Sequence, residues 1–221
     1  MTDLQERIVH ESLKLFSLNG FLSTSVSDIM EAAKTSKGGF YNHFASKEAL
    51  FFRVLDEARM IWRERTLAGL DETDSPIGKV QRFLENYRDR YLKDGENFPG
   101  GCVFVTFSVE LNDQRPHLCQ EVNKGFVGVK SMLNRLLDEG QASGELRGGV
   151  NTSAITEMLF AGMLGASVLY GVDKSSESVD RPINALIDYL EELKLQGKGG
   201  ETGPPSSLSD YSGGANGPNS P

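Results

Sequence analysis

Residues 25–50 read SVSDIMEAAKTSKGGFYNHFASKEAL, and three helix starts follow one another in this stretch. Ser25 with Asp28 is a capping-box pattern, and Ser36 and Ser46 each stand where a helix N-cap belongs. Apolar residues recur at helical spacing after each of these serines. The stretch therefore predicts two short helices joined by a tight turn, followed by a long third helix.

The sequence on either side of this stretch extends the same pattern to an all-α fold of about nine helices. Upstream, a capping-box pattern from Thr2 to Gln5 predicts the start of another helix, and Gly20 predicts its end. Downstream, the segment CVFVTF at 102–107 has a strand-forming composition, but no partner strand exists in the sequence, so a helix is predicted there. The expected helices cover about residues 3–19, 26–33, 36–43, 46–65, 76–91, 102–107, 116–139, 152–170 and 179–195.

Composition and charge exclude several classes of protein. The chain has 221 residues, of which 23 are Lys or Arg and 31 are Asp or Glu, giving a net charge of −8. Two cysteines are too few for a disulfide framework, so a reducing cytoplasm is expected. The amino terminus lacks the basic start and apolar run of an export signal. The apolar run 158–172 contains three glycines and is too short to span a bilayer, so we expect a buried helix and no membrane contact.

Charge and composition divide the chain into three predicted regions. Residues 1–55 hold six basic and six acidic side chains, so any DNA contact is expected in this region. Residues 56–195 hold 16 basic and 23 acidic side chains, and such an acidic region would repel nucleic acid at long range. Residues 196–221 are rich in Gly, Pro and Ser, a composition typical of a disordered tail.

Enzyme motifs are missing from the sequence. There is no Glu-x-x-His pair for a di-metal carboxylate bundle, no HExxH, no nucleophile elbow and no phosphate loop. His10 and His117 have no partner ligands nearby in sequence. We therefore expect no catalytic residues, no metal and no cofactor.

Two short helices separated by a tight turn and preceded by a packing helix are typical of a helix-turn-helix, whose second helix enters the DNA major groove. The run 25–50, with LFSLNGF at 15–21 before it, resembles the amino-terminal domain of the TetR family of bacterial transcriptional repressors. Its Phe-Tyr-x-His-Phe core followed by Ser-Lys-Glu is far more restrictive than a generic helix-turn-helix. The segment 101–111 also looks like part of that family, more weakly.

The resemblance implies an all-helical homodimer on a palindromic double-stranded DNA operator, controlled by a small-molecule effector. Residues 1–55 would be its DNA-binding domain and residues 56–195 its ligand-binding and dimerisation domain. The resemblance also implies the DNA-binding residues, which are Ser25, Ser36, Lys37, Gly39, Tyr41, Asn42, His43 and Lys47. Ser25 and Lys47 would meet phosphates, Lys37 and Gly39 would face base edges, and Tyr41 and His43 would contact the DNA backbone or bases. The sequence departs from the commoner pattern at two of them. Gly39 stands where Thr or Ser is frequent, which removes a possible base contact, and Asn42 stands where an aromatic is frequent and could read adenine. Phe40 and Phe44 are expected in the core.

Aromatic side chains of the second region are candidates for lining an effector pocket, although such residues more often form a core. The expected set is Trp62, Phe83, Tyr87, Cys102, Phe104, Phe107, Phe126 and Phe160. Cys102 has no adjacent Lys or Arg, which favours a buried, inert thiol. A thiol sensor of electrophiles or oxidants is the alternative. Gly162, Gly165 and Ala166, with the last helix, are candidates for a four-helix dimer interface or for close packing inside one subunit.

The leading hypothesis from the sequence is a ligand-released, DNA-binding repressor in which the fourth helix couples the pocket to the DNA-reading helices. An activator is the less frequent case in the family. The competing hypothesis is a helical ligand carrier or interaction module without DNA binding, supported by the zero net charge of residues 1–55.

Overall fold

The computed structural model describes residues 3–194, and within this range the chain forms nine α-helices and no strand. The helices are α1 (Asp3–Asn19), α2 (Val26–Ala32), α3 (Lys37–Tyr41), α4 (Lys47–Thr66), α5 (Pro76–Asn86), α6 (Val103–Leu111), α7 (Pro116–Ala142), α8 (Thr152–Asp173) and α9 (Ser176–Leu193). An isolated β-bridge joins Leu146 to Lys194. The all-α prediction is confirmed. The expected tail and Thr2, the first residue of the predicted capping box, lie outside the described residues.

Local sequence explains most of the helix ends. Ser25 and Asp28 make a reciprocal capping box on α2, and Ser36 and Ser46 accept backbone N–H bonds at the starts of α3 and α4. Gly20 has a φ of 81°, the left-handed conformation that ends α1 and that favours glycine. The serines that suggested helix starts in the sequence therefore act as caps.

Two elements differ from their predicted form. Helix α3 ends at Tyr41 rather than near His43, because Asn42 forms its C-cap. The predicted fifth helix continues past Asn86 as a π-helical turn, Tyr87–Leu92, which buries both Tyr87 and Tyr91. The segment around Cys102 is confirmed as helical, since α6 begins at the next residue.

Helices α1–α3 and the first turns of α4 enclose one end of the core, which continues into the larger helical body. Phe107 of α6 lies between the two parts, with its ring centroid 6.1 Å from Phe16 and 4.9 Å from Phe51. Helix α4 runs unbroken across residues 55 and 56, the predicted domain boundary. The two predicted domains thus share a helix and an aromatic cluster.

A second seam joins the loop before α6 to the end of α1. The Gly100 N–H donates to the Ser17 hydroxyl at 2.9 Å, and that hydroxyl donates to the Gly101 carbonyl at 3.3 Å. A Cβ at position 100 would lie 1.7 Å from the Ser17 carbonyl oxygen. Only glycine permits this approach of the two backbones.

Helix α8 corrects the expectation of a fully buried helix. One face is buried in the body, but Val168, Leu169 and Val172 are between 50% and 82% exposed. By length and composition α8 is also the one helix among the described residues that is apolar enough to cross a membrane. Its apolar outer face is unpartnered in the monomer.

Candidate nucleic-acid interface and internal cavity

The start of α3 is the most open part of the predicted DNA-binding surface. Ser36 caps the helix by accepting from the Gly39 N–H at 3.1 Å, so its hydroxyl proton remains available to a phosphate. Lys37 and Asn42 are exposed, and Tyr41 is 47% exposed with its ring edge-on to Phe40. Across residues 3–194, the Lys37 ammonium has no ion-pair or hydrogen-bond partner. These side chains are free to meet DNA.

The two glycines of α3 face different surroundings. A Cβ at position 38 would meet only the Ser36 hydroxyl, at 3.9 Å, and would point into open space. A Cβ at position 39 would lie 2.3 Å from the Thr35 hydroxyl and 3.6 Å from the Leu4 side chain, inside the helical domain. The backbone that lies open to a ligand is therefore that of Gly38, while the predicted base-facing role of Gly39 stays a prediction.

Lys47 lies beside the start of α2 and has an internal role. Its ammonium donates to the carbonyl oxygens of Phe21 and Thr24, each at 2.8 Å, and to that of Leu22 at 3.4 Å. It also sits 4.4 Å from the Phe21 ring centroid. Partial burial lowers the pKa of Lys47, and the Glu110 carboxylate opposes this shift. All three of its N–H donors are used, so a phosphate contact would require one of these bonds to be exchanged.

Ser25 and His43, the remaining predicted DNA-binding residues, differ in exposure. Ser25 is exposed and caps α2, and its backbone N–H donates to Asp28 at 2.7 Å, which lowers the pKa of that carboxyl group. His43 is half-buried. Phe40 and Phe44 are buried, as expected for packing residues. Because Lys47 bonds to the carbonyl just before Ser25, the starts of α2 and α4 lie side by side.

Two residues that sequence reasoning missed hold this domain in place. Glu110 of α6 accepts from the backbone N–H groups of Phe21 and Leu22, both at 2.7 Å, and so fixes the loop between α1 and α2. The Arg7 guanidinium donates to the Ala33 carbonyl at 2.9 Å, next to the turn between α2 and α3. Both partners are far away in sequence, so no local pattern indicates these bonds.

A cavity of about 300 Å³ lies in the larger helical body. Its walls come from α4, the π-helical turn, the start of α6, α7 and α8. Its volume is at the lower end of the range for small-molecule sites, and its lining is mainly apolar. Six of the eight aromatic and thiol residues expected to line a pocket do so: Trp62, Tyr87, Cys102, Phe104, Phe126 and Phe160.

The other two expected lining residues lie elsewhere. Phe83 packs edge-on against Trp62, with a centroid distance of 5.9 Å, and does not line the cavity. Phe107 is committed to the cluster with Phe16 and Phe51. Both side chains are fully buried in the core. A sequence pattern cannot distinguish an aromatic residue of the core from one that lines a cavity. The cations Arg59, Arg63 and Lys124, which the sequence reasoning did not single out, also line the cavity.

Cys102 lies in the cavity wall with its thiol protonated. Burial raises its pKa above the ordinary value, and the Tyr91 hydroxyl donates to its sulfur at 3.3 Å. A raised pKa lowers the thiolate fraction at neutral pH, and the thiolate is the reactive form. These surroundings are those of an unreactive cysteine and do not favour a thiol sensor.

Comparison with known proteins gives the family. The family described as "Bacterial regulatory proteins, tetR family" matches residues 8–54, and the one described as "Tetracyclin repressor-like, C-terminal domain" matches residues 76–186. The chain belongs to the TetR family. It is therefore a helix-turn-helix transcriptional regulator from a family that is not enzymatic.

Relatives within the TetR family match over nearly the whole chain. The transcriptional repressor DhaR of Mycobacterium sp. strain GP1 is 29% identical over 86% of this chain and 93% of its own length. A TetR regulator from Chloroflexus aurantiacus has the same fold, with a TM-score of 0.79 and 29% identity over 87% of this chain and 96% of its own. The reduced form of Escherichia coli NemR, with a TM-score of 0.70 and 21% identity over 87% of this chain and 98% of its own, supports the fold alone.

Proposed function

We propose that this TetR-family regulator is a homodimeric repressor that binds a palindromic operator and is released by a small-molecule effector in the cavity. DhaR and NemR, both named as repressors, support this direction of control. Such a protein acts in the cytoplasm, where the chromosomal DNA is. Two copies of α3 would enter successive major grooves, with half-sites about 34–36 Å apart or somewhat more.

The observation that carries the proposal is the position of α6 and the residue before it. At one end, Cys102 and Phe104 stand in the cavity wall. At the other end, Phe107 packs on the aromatic residues of α1 and α4, and Glu110 holds the loop before α2. An effector that binds better to the conformation with displaced DNA-reading helices would shift the population away from the DNA-bound form. We therefore propose that α6, in addition to α4, couples the cavity to the DNA-reading helices.

The apolar outer face of α8 supports the homodimer. Exposed apolar area of this kind marks an interaction surface. Nothing lies within 4 Å of a Cβ placed on Gly165, so a second helix can approach closely there. Gly162, in contrast, already packs against Leu186 of the same subunit. Helices α8 and α9 of two copies would form a four-helix interface around this face.

The test is selection of bound duplexes from a random DNA pool by the purified protein, repeated with the variants Lys37→Ala and Tyr41→Ala. We expect an enriched palindrome, and weaker enrichment for both variants, whose side chains are exposed and outside the core. Thermal unfolding of the variants serves as the folding control. No enrichment by the folded wild type at low salt would contradict the proposal and favour an interaction module without DNA binding.

A further inference from the structure

The charged residues that line the cavity are all cations. Among its 17 lining residues are three cations, Arg59, Arg63 and Lys124, and no carboxylate. The chain as a whole carries a net charge of −8, so a cluster of this sign is contrary to the overall composition. The remaining lining is dominated by aromatic and aliphatic side chains.

Two of the cations have partners, and one does not. The Arg59 guanidinium donates to the Glu121 carbonyl at 2.6 Å and to the Asp56 carboxylate at 3.4 Å. The Lys124 ammonium donates to the Glu121 carboxylate at 2.6 Å. For Arg63, by contrast, no side-chain hydrogen bond or ion pair exists within residues 3–194. Its guanidinium offers five unpaired N–H donors in a planar fork that fits a carboxylate.

The spacing of the two arginines adds to this argument. Arg59 and Arg63 stand four residues apart on α4, so they lie on the same helix face one turn apart, and Trp62 beside them also lines the cavity. Like charges at this spacing repel and destabilise an isolated helix. An anion near both guanidinium groups would remove that cost.

The polar groups deeper in the wall are already satisfied. The Tyr87 hydroxyl is hydrogen-bonded with Ser167 and donates to the Met163 carbonyl, and Cys102 accepts from Tyr91. Burial raises the pKa of both Tyr87 and Cys102, so both remain neutral. The interior of the cavity therefore fits an apolar body, and charge recognition is confined to the arginines and Lys124.

We infer that the cavity takes an amphipathic anion: a molecule with an apolar chain inside and a carboxylate head on Arg63, with Arg59 close by. This inference rests on the proposed function in one respect, that the cavity is the effector site. It goes further by naming the chemical class of the effector.

The protein supplies its own reporter for the test, since its single tryptophan, Trp62, lines the cavity. Intrinsic fluorescence is titrated with three probes of equal chain length, namely decanoate, decanol and decylamine, below their micelle concentrations. We expect decanoate to bind about tenfold or more tightly than decanol, the advantage of a charged hydrogen bond, and decylamine to bind least. Equal affinity for decanoate and decanol, or no fluorescence change with any probe, would overturn the inference.

Matched variants locate the head group. Arg63→Gln removes the unpaired cation, and Arg90→Gln removes an exposed arginine of the π-helical turn that does not line the cavity. We expect Arg63→Gln to lose the preference for decanoate over decanol while keeping decanol affinity, and Arg90→Gln to leave both affinities unchanged. Equal loss of preference in the two variants would indicate a general charge effect and overturn the inference.

Operator binding is measured separately, so that the two proposals can fail independently. Decanoate should release the selected duplex from the wild type and do so less effectively from Arg63→Gln. Decanoate binding with its preference lost in Arg63→Gln, but without any effect on DNA, would support the ligand class and contradict the cavity as an effector site.

Discussion

Two lysines that look alike in the sequence have different surroundings in the folded protein. Lys37 is exposed and unpaired among the described residues, whereas Lys47 donates to three backbone carbonyls. The sequence predicts a DNA contact for both: Lys37 would face base edges, and Lys47, at the start of α4, would hold a phosphate. Which carbonyls lie within reach of Lys47 depends on the packing of α1 against α4, and no local pattern encodes that packing.

Exchanging each lysine for glutamine should separate the two roles. Lys37→Gln should leave the melting temperature unchanged and reduce the slope of log affinity against log salt by about 0.9, the value for one cation removed from the DNA-facing surface. Lys47→Gln should lower the free energy of unfolding by about 1–3 kcal/mol, because it leaves carbonyls without donors. The measurements are operator titrations at several salt concentrations and denaturant unfolding.

The same two measurements would also show whether Lys47 binds a phosphate instead of its internal carbonyls. If Lys47→Gln changes the salt slope as much as Lys37→Gln does and leaves stability intact, then Lys47 exchanges its internal bonds for a phosphate on binding. The internal role described above would then apply only to the DNA-free protein.

Among the elements, α3 is intrinsically weak as a helix. It has five residues, two of them glycine, and glycine destabilises a helix by about 1 kcal/mol relative to alanine. Its stability comes from the Ser36 cap and from burial of Phe40 against the core. The same glycines that weaken the helix leave the backbone at Gly38 uncovered, and DNA would be able to approach it closely.

Gly38→Ala should make the protein more stable and a poorer DNA binder. The added methyl group has room, raises helix propensity by up to about 1 kcal/mol and stands between the backbone and DNA. We expect operator affinity to fall by about tenfold, the equivalent of one lost contact. The control is Gly95→Ala, in the loop after the π-helical turn, which is also open to space and outside the cavity lining and should leave DNA binding unchanged. Unchanged affinity for Gly38→Ala would place this backbone away from the DNA.

Elements were largely predictable from the sequence, because serine caps, glycine ends and apolar periodicity are local signals. The composition around Cys102 is typical of a strand, but the absence of a partner strand favours a helix, and α6 confirms that prediction. The π-helical turn after Asn86 was not predictable, since an apolar stripe continues through it unchanged. Which side of α8 is exposed was not predictable, because a uniformly apolar helix gives no sign of which side is covered; the glycines of this helix suggested only that it could pack closely on another helix.

At the scale of the whole molecule, Val168, Leu169 and Val172 of α8 form the exposed apolar face that we propose as the dimer interface. Val168→Glu should convert a dimer into monomers and weaken operator binding, since each half-site would then be bound independently. Val109→Glu, at a valine that is 77% exposed on α6, is the matched control and should remain dimeric. Sedimentation analysis of both variants measures the change, and a Val168→Glu dimer would contradict the proposed interface.

The contact between Gly100 and Ser17 restricts which DNA-binding domains can be combined with this helical body in a chimaeric regulator. This seam joins the end of α1, in the DNA-binding part, to the loop that leads into Cys102 of the cavity wall. The seam itself allows no added side chain at position 100. A chimaera that joins these DNA-reading helices to another regulator's body would therefore need a glycine at this point and a small hydroxyl residue opposite it. New pairings of signal and operator are then limited by this junction, together with the Phe107 cluster and the Glu110 bonds, rather than by either binding site.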